Sequence, residues 1–465
     1  MDFNIEDLID AQRPNRSQLH ERHLNTQLVN VLRTLGFDVD YVRAEGAYLF
    51  DAEGTRYLDL LSGFGVFALG RSHQVVADTL KTVIDLQLPG LVQFDTSILA
   101  GLMAETLNRY MPWLEKYYFC NSGTEAVEAS IKFSRFATGR SRILYCSNAF
   151  HGLTYGALSV TADAQFRQGF GPLLEDCTEI PFDDVPALER ELRKGDVAAF
   201  IVEPIQGKGV YLPGETYLAK AANLCRSHNA VFIADEVQTG LGRTGRFIAC
   251  EHWNVEPDIV LLAKALSGGF VPVGAVACRK WIFDAVFDRM DRVVVHGSTF
   301  SKNDLAMAAG LATLAAIENE QLIQLAERRG ERLIDTLHRR CAGKDFDVEV
   351  RGRGLMIGVE IGAPRSLGLK TAYKLIEETR RGLFCQLLLV PMLKEHRILA
   401  QVAGAHQPVI KLLPPFIIDN TDITWIGRAF DAVLRDAENL GGIWDLGYAL
   451  AKHSMQARAA AGTGR

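Results

Sequence analysis

Hydrophobic and polar positions alternate with different periods along the chain, and each period predicts a kind of element. Apolar residues over positions 19–35 recur at helical spacing and stop at Gly36. Two short apolar runs at 47–50 and 55–59 flank a turn and predict a β-hairpin. Between about 75 and 330, helical stretches alternate with short, continuously apolar runs. This alternation is typical of a mostly parallel sheet covered by helices.

The pattern changes in the last third of the chain. One long amphipathic helix is predicted over about 303–340. After it, strand-like runs at 347–361, 387–390 and 409–413 alternate with helical stretches, and a loop is expected from Pro391 to Arg397. These runs favour a second, smaller α/β unit, distinct from the central alternation.

The domain organisation follows from these two sequence patterns. We expect an α/β fold whose large domain spans residues 75–330. Residues 1–74, with the hairpin near residue 50, contribute to a small domain that residues 331–465 complete. The tail from Ser454 is small and polar and is predicted to fray.

Composition narrows the class of protein. Of the 465 residues, 48% are hydrophobic and 23% charged, and the net charge of −6 argues against a nucleic-acid or anionic-membrane partner. No apolar run reaches the roughly 18 residues of a membrane span, and the acidic start lacks an apolar signal core. The eight cysteines form no CxxC pair and are expected to be reduced thiols. A cytoplasmic protein is therefore expected.

Three buried-type strands in the central region each end in a residue that can do chemistry. They are 198–202 before Glu203, 230–234 before Asp235, and 259–263 before Lys264. Parallel strands bring their carboxyl ends to one edge of the sheet, where ligands bind. The pattern alone also fits acids that cap turns and a solvated lysine. Ser267, Gly268 and Gly269 after the lysine let the backbone approach a ligand closely.

These residue types suit the chemistry of pyridoxal 5'-phosphate. A lysine withdrawn from water loses its proton more readily, and its neutral amine can attack an aldehyde. An acid on a neighbouring strand end can keep a pyridine nitrogen protonated. For the phosphate, residues 117–120 form a strand, and 121–126 open a helix whose free N–H groups favour an anion. Simple N-capping by Ser122 or Thr124 would give the same pattern.

Taken together, the motifs resemble the class III (subgroup II) aminotransferases, which have fold type I of the pyridoxal-phosphate enzymes. The matching segments, in family order, are 58–63, 121–126, 150–152, 203–207, 235–240, 257–269, 296–300, 351–356 and 413–415. The resemblance covers roughly residues 45 to 435, and the order of so many segments makes it specific.

The resemblance implies a role for each matching position. Lys264 holds the cofactor as a Schiff base and shuttles the proton, and Asp235 holds the pyridine nitrogen. The other implied cofactor contacts are Ser122, Gly123 and Thr124 at the phosphate, Phe150 and His151 at the ring, Gln238 near the ring oxygen, Glu203, and Thr299 of the partner subunit at the phosphate. A homodimer with shared active sites follows from the last of these.

The departures from the family concern the substrate. Relatives that act on ornithine, acetylornithine or 4-aminobutyrate carry a glutamate and an arginine where this chain has Lys208 and Lys411. A lysine cannot grip a carboxylate with two parallel hydrogen bonds. We expect Lys208, Lys411 and Phe64 to contact substrate, and Lys208 either faces a carboxylate or points to solvent. Arg397 is the nearest candidate for a mobile carboxylate clamp.

The predicted activity is ping-pong transfer of an amino group between a terminal amine or aldehyde and a 2-oxo acid such as pyruvate or 2-oxoglutarate. A pyridoxal-phosphate-dependent aminomutase or racemase, and a non-catalytic pyridoxal-phosphate-binding protein, are the alternatives. No metal site is expected. The GxGxxG string at 240–245 is not read as a dinucleotide site, because it does not lead directly from a strand into a helix.

Overall fold

The computed structural model describes residues 3–404 and 406–439, together with residues 441, 442, 444 and 447. Their strands form three sheets. The strands are β1 (Tyr41–Glu45), β2 (Tyr48–Asp51), β3 (Arg56–Asp59), β4 (Lys116–Cys120), β5 (Arg142–Cys146), β6 (Cys177–Ile180), β7 (Val197–Val202), β8 (Val231–Asp235), β9 (Ile259–Leu262), β10 (Gly274–Cys278), β11 (Phe346–Arg353), β12 (Met356–Pro364), β13 (Ile398–Leu399), β14 (Gln401–Val402) and β15 (Val409–Leu412). The predicted fraying from Ser454 falls outside the described residues.

Helices connect the strands and cover the sheets. They are α1 (Ile5–Gln12), α2 (Arg16–His23), α3 (Thr26–Leu35), α4 (Ser62–Gly65), α5 (Gln74–Asp85), α6 (Ile98–Tyr110), α7 (Gly123–Thr138), α8 (Tyr155–Ser159), α9 (Ala164–Arg167), α10 (Val185–Leu192), α11 (Tyr217–Ser227), α12 (Lys280–Val286), α13 (Asp304–Asn319), α14 (Leu322–Cys341), α15 (Leu367–Thr379), α16 (Leu383–Lys394) and α17 (Asn420–Ala437). In the part of the chain described, none of these helices is long and apolar enough to cross a bilayer.

The central sheet has seven strands in the order β4-β10-β9-β8-β7-β5-β6. All neighbours from β9 to β6 pair in parallel, and β10 runs antiparallel to both of its neighbours. Every residue of β7, β8 and β9 is buried, because helices cover both faces of the sheet. Alternate residues enter two separate cores, one shared with α11 and the other with α7. The predicted α/β class is confirmed.

Two smaller, four-stranded sheets combine distant parts of the chain. The hairpin of β2 and β3 forms as predicted, and β3 pairs in parallel with β13, with Ile398 opposite Leu58. The third sheet has the order β11-β12-β15-β14, with antiparallel neighbours throughout. The segment that carries Lys411 is therefore held by β12 and β14, on either side of β15.

The single helix predicted over 303–340 is wrong, because the chain forms two helices there. Gln321 adopts a left-handed conformation with φ of 52° and separates α13 from α14. The interior of α13 is buried almost all round, whereas α14 buries one stripe. The two helices therefore bury different surfaces, and the break at Gln321 separates them. The polar residues at the break include no glycine or proline that could have signalled it.

The strand predicted at 387–390 is also wrong, because these residues lie in α16. Leu387, Leu388 and Leu389 are all buried, and a short run of buried apolar residues fits a strand and a core helix equally well. Pro391 lies inside the same helix. The loop expected from Pro391 to Arg397 therefore begins only after Lys394.

Candidate active site

A cavity of about 930 Å³ lies where β7, β8 and β9 end. It collects nearly all of the residues that the sequence predicts for the site. Those that line it are Phe64, Ser122, Gly123, Thr124, Phe150, His151, Glu203, Lys208, Asp235, Gln238, Lys264 and Lys411. Thr299 is absent from this lining and is described separately below.

Lys264 follows β9 after one residue and begins a 3-10 turn, Lys264–Ser267. Its φ of 45° is unusual for a residue with a side chain and fixes the direction in which the lysine leaves the sheet. Burial lowers the pKa of Lys264, against the opposing effect of Asp235 and Glu203. Its amine has no hydrogen-bond or ion-pair partner among the described residues. The arrangement gives an amine that is easily deprotonated and free to react.

Asp235 and His151 form a buried pair on the same cavity. Nδ1 of His151 lies 2.6 Å from Oδ2 of Asp235, and the two residues are 3% and 4% exposed. Oδ1 of Asp235 accepts a hydrogen bond of 3.1 Å from the N–H of Val237. Each carboxylate oxygen can accept a further hydrogen bond. The contact with His151 therefore fixes the position of Asp235 and leaves its carboxylate able to bind another donor.

The carboxylate of Glu203 binds backbone N–H groups that border the cavity. One carboxylate oxygen accepts the N–H of Phe150 at 2.9 Å, and the other accepts the N–H of Gly207 at 2.7 Å. Burial raises the pKa of Glu203. The glutamate predicted for the cofactor site therefore sets the position of Phe150 and of the turn that leads to Lys208.

The start of α7 offers free hydrogen-bond donors to the cavity. Ser122 is the N-cap, and its hydroxyl accepts the N–H of Glu125 at 3.2 Å. The N–H groups of Gly123 and Thr124 keep no partner in the described part of the chain. Position 123 needs glycine, because a Cβ there would lie 2.9 Å from a methyl group of Val237. Free N–H groups at the start of a 16-residue helix suit an anion.

Gly152 brings the loop after Phe150 against this helix start. Its φ is 128°, and a Cβ there would lie 2.4 Å from the hydroxyl oxygen of Thr124. The Thr124 and Thr154 hydroxyls lie 2.7 Å apart. The loop is therefore locked to the first turn of α7.

Lys411 is a buried cation in the wall of the cavity. Its Nζ donates to the carbonyl of Gly207 at 2.8 Å and to Oε1 of Gln238 at 3.2 Å. Gln238 in turn donates to the carbonyl of Phe64 at 3.1 Å. Burial, reinforced by the nearby Lys264, lowers the pKa of Lys411 to about 7.

Lys208 does not point freely to solvent. Its Nζ lies 2.6 Å from Oδ2 of Asp163, and the two side chains are 11% and 16% exposed. The sequence did not single out Asp163, because it belongs to no motif and lies 45 positions from its partner. Its one local signal is a helix N-cap, since its side chain accepts the N–H of Gln165.

Thr299 is exposed and lines a second cavity, of about 960 Å³. Its neighbour Ser298 accepts a hydrogen bond of 2.8 Å from the side chain of Asn121, which precedes the start of α7. Thr299 therefore lies outside the cavity around Lys264 but on a segment tied to the α7 turn.

The profile of the class-III aminotransferase family matches residues 32–434. The chain is 35% identical over 463 residues to the aminotransferase PigE of Serratia sp. (strain ATCC 39006), covering 92% of this chain and 54% of that protein. It thus spans about half the length of that relative. It is 41% identical over 351 residues to the acetylornithine aminotransferase of Methanopyrus kandleri, covering 75% of this chain and 85% of that enzyme.

Solved structures agree in fold. An ornithine aminotransferase from Toxoplasma gondii, described with partial occupancy of PLP at its active site, superposes with a TM-score of 0.79 at 30% identity. The match covers 94% of this chain and 100% of that one. An acetylornithine aminotransferase from Elizabethkingia anophelis gives a TM-score of 0.72 at 33% identity, over 90% of this chain and 98% of that one.

Proposed function

The chain belongs to the class-III aminotransferases, which are pyridoxal-phosphate-dependent enzymes, and we propose that it binds this cofactor covalently at Lys264. The proposed reaction moves an amino group between a terminal amine or aldehyde and a 2-oxo acid, by a ping-pong sequence. The observation that carries the proposal is the amine of Lys264, which has no partner among the described residues and lies in one cavity with the Asp235–His151 pair.

The residues present fit the cofactor at three points. The free N–H groups of Gly123 and Thr124 suit its phosphate. Asp235 keeps acceptor capacity for a protonated ring nitrogen. The cofactor-binding lysine is close to the phosphate turn, because a Cβ on Gly123 would lie 3.5 Å from that of Ala263, the residue before Lys264.

Each of these residues has a proposed task. When bound, pyridoxal phosphate supplies an electron sink for the bonds at the substrate carbon. Nζ of Lys264 takes up the proton from that carbon and returns it, which its lowered pKa favours. Asp235 holds a proton on the ring nitrogen, and His151 keeps the carboxylate in place. Phe150, fixed through Glu203, covers the ring, and Gln238 lies near the ring oxygen.

The substrate side of the cavity carries Phe64, Lys208 and Lys411. We propose that Lys411 binds the carboxylate of the 2-oxo acid, since two of the three N–H groups of its ammonium form are used and the third has no partner among the described residues. Phe64, whose φ of 62° is strained for a side-chain-bearing residue, borders the entrance with 58% of its surface exposed.

The proposal extends to the assembly. The chain acts as a homodimer in which Thr299 of the partner subunit completes the phosphate site. The second cavity, with its exposed Thr299, supports this arrangement. The division into a large domain at 75–330 and a small domain from residues 1–74 and 331–465 is part of the same proposal. The pairing of β3 with β13 supports it.

Attachment at Lys264 can be tested directly. The purified protein is supplied with pyridoxal phosphate, reduced with borohydride, digested and examined by mass spectrometry. We expect the modification on Lys264 alone, and none in Lys264→Ala. Lys208→Ala is the matched control, because it removes another lysine that lines the cavity and leaves the attachment intact.

Amino transfer is tested with the same preparations. A panel of diamines, amino acids and aldehydes is read out by consumption of pyruvate or 2-oxoglutarate. Lys264→Ala should lower turnover on the order of a thousandfold, the usual contribution of a positioned acid–base group. A modified lysine other than 264, or scrambled stereochemistry without net transfer, would contradict the proposal; the latter result would favour a racemase.

A further inference from the structure

The ion pair between Lys208 and Asp163 lowers the number of anionic groups that the cavity can bind. Lys208 lines the cavity, whereas Asp163 is not part of the lining. Their charged atoms lie 2.6 Å apart, and both side chains are mostly withdrawn from water. A charge-assisted hydrogen bond at this distance and burial is strong. The lysine therefore presents little net charge to a molecule inside the cavity.

Several contacts fix this pair in one geometry. Oδ1 of Asp163 is committed to the N–H of Gln165, as the cap of α9, which leaves Oδ2 for Lys208. The ammonium lies 4.6 Å from the ring centre of Phe166 and 5.6 Å from that of Phe150. The two rings meet edge to face at 5.7 Å. Cation–π attraction to both rings holds the ammonium in this position.

Asp163 stays charged under ordinary conditions. Burial acts most strongly and raises the pKa of Asp163, but the hydrogen bonds from Lys208 and from the N–H of Gln165, together with the charge of Lys208, outweigh it and lower the pKa below its usual value. The backbone of Gly404 also limits the lysine, since a Cβ there would lie 3.2 Å from Cγ of Lys208. Asp163 is therefore ionised at neutral pH, and the lysine beside it is confined.

Apart from Lys264, which the proposed function assigns to the cofactor, the described lining of the cavity has one cationic position with a donor to spare, Lys411. Much of the remaining lining is apolar and includes Phe64, Leu153, Phe166, Phe270 and Val402. A substrate with one carboxylate can bind that group to the ammonium of Lys411. A second carboxylate would meet apolar surface or would have to displace Asp163. Displacement is unfavourable, because Asp163 is on the same chain and so has a high effective concentration.

We infer that Asp163 determines specificity: by neutralising Lys208, it makes the enzyme prefer a 2-oxo acid with one carboxylate over one with two. This inference rests on the proposed function and deepens it. Removing the charge of Asp163 would leave the ammonium of Lys208 buried without a partner, and the second carboxylate of a diacid would then offset that cost.

The test compares acids in the second half-reaction, which needs no knowledge of the amine donor. The enzyme is loaded with pyridoxamine phosphate and mixed with pyruvate or 2-oxoglutarate, and the rate is followed by absorbance. In Asp163→Asn the amide oxygen still caps α9, but the charge is gone. We expect the ratio of kcat/KM for 2-oxoglutarate to that for pyruvate to rise on the order of tenfold.

Binding of unreactive acids gives an independent readout. Calorimetry on the pyridoxal-phosphate form should show glutarate binding tighter in Asp163→Asn than in the wild type, relative to butyrate. Asp163→Ser, whose hydroxyl can also cap the helix, should shift both ratios in the same direction. The double variant Asp163→Asn/Lys208→Met should lose the gain, because the gain depends on the freed ammonium.

Asp184→Asn is the matched control, since Asp184 caps α10 in the same way and lies outside the cavity lining. It should leave both ratios as in the wild type. Unchanged ratios in Asp163→Asn and Asp163→Ser, with reaction still observed, would overturn the inference alone. A loaded enzyme that reacts with neither acid would instead refute the proposed function.

Discussion

Lys411 is the residue whose surroundings most directly predict a dependence on pH. Burial and the neighbouring Lys264 lower its pKa to about 7, although Glu203 acts to raise it. Below that pH the side chain is a cation that can bind a carboxylate. Above it the amine is neutral, and the attraction is lost. A bound acid stabilises the charged form and moves the transition upward.

We therefore expect butyrate to bind roughly tenfold more weakly at pH 8 than at pH 6, measured by calorimetry on the pyridoxal-phosphate form. Lys411→Arg should flatten this profile, because a guanidinium stays charged across the range. Lys411→Met should bind weakly at both pH values. Equal affinity at pH 6 and pH 8 in the wild type would show that Lys411 does not bind the acid.

At the residue scale, the sequence could predict which residues lie together where a residue able to do chemistry follows the end of a strand. Glu203, Asp235 and Lys264 were predicted to meet because parallel strands align their carboxyl ends, and all three line one cavity. Asp163 could not be predicted, since its partner is brought to it by folding. The pairing of Lys411 with Gln238 was likewise beyond the motif pattern.

At the scale of elements, Glu236 joins the end of β8 to the short 3-10 helix Ala249–Trp253. Its carboxylate accepts the N–H groups of Ala249 and Cys250, each at 2.9 Å, and the hydroxyl of Thr239. Burial raises the pKa of Glu236 from 4.5 to about 7. Between these values the folded state holds a proton that the unfolded state has released, so stability falls as pH rises through this window.

Glu236→Gln should remove this dependence, because an amide does not titrate. Urea unfolding at pH 4.5 and pH 7.5 should show the wild type losing on the order of 3 kcal/mol relative to the variant as pH rises. Glu105→Gln, at an exposed position of α6, serves as the control and should follow the wild type. An identical slope in the wild type and Glu236→Gln would assign the pH dependence to other groups.

Elements were predictable from sequence where polarity or turn chemistry marked their ends. The hairpin around residues 51–54 and the end of α3 at Gly36 are of this kind. The errors at α16 and at the break before α14 share a cause. In both stretches the structure depends on burial by distant parts of the chain. Local periodicity does not indicate whether buried residues form a strand or a helix, or where a buried helix ends.

At the scale of the whole molecule, the proposed exchange of Thr299 between subunits has a distinctive outcome in mixed dimers. A dimer of one Lys264→Ala and one Thr299→Ala subunit would contain one intact site and one doubly defective site. Coexpressed subunits should therefore recover up to half of the wild-type cofactor incorporation at limiting pyridoxal phosphate, measured by mass spectrometry. Each variant alone serves as its control.

No recovery in the purified mixed dimer would place Thr299 in its own subunit's site, and normal incorporation by Thr299→Ala alone would place it outside the sites. A fully active monomer in solution would refute the shared-site arrangement altogether. The assembly could be predicted from sequence only through the family resemblance, because an exposed threonine in a loop has no local pattern that indicates a partner.

The pairing of β3 with β13 has a consequence for synthesis on the ribosome. Tyr57 and Arg397, which share a hydrogen bond at this junction, are 340 positions apart. An emerging chain exposes one edge of its early hairpin until β13 has left the exit tunnel, and an open edge can recruit other chains. The cavity around Lys264 therefore cannot be completed until the chain beyond residue 398 has been translated, and products that stall earlier are expected to need chaperones.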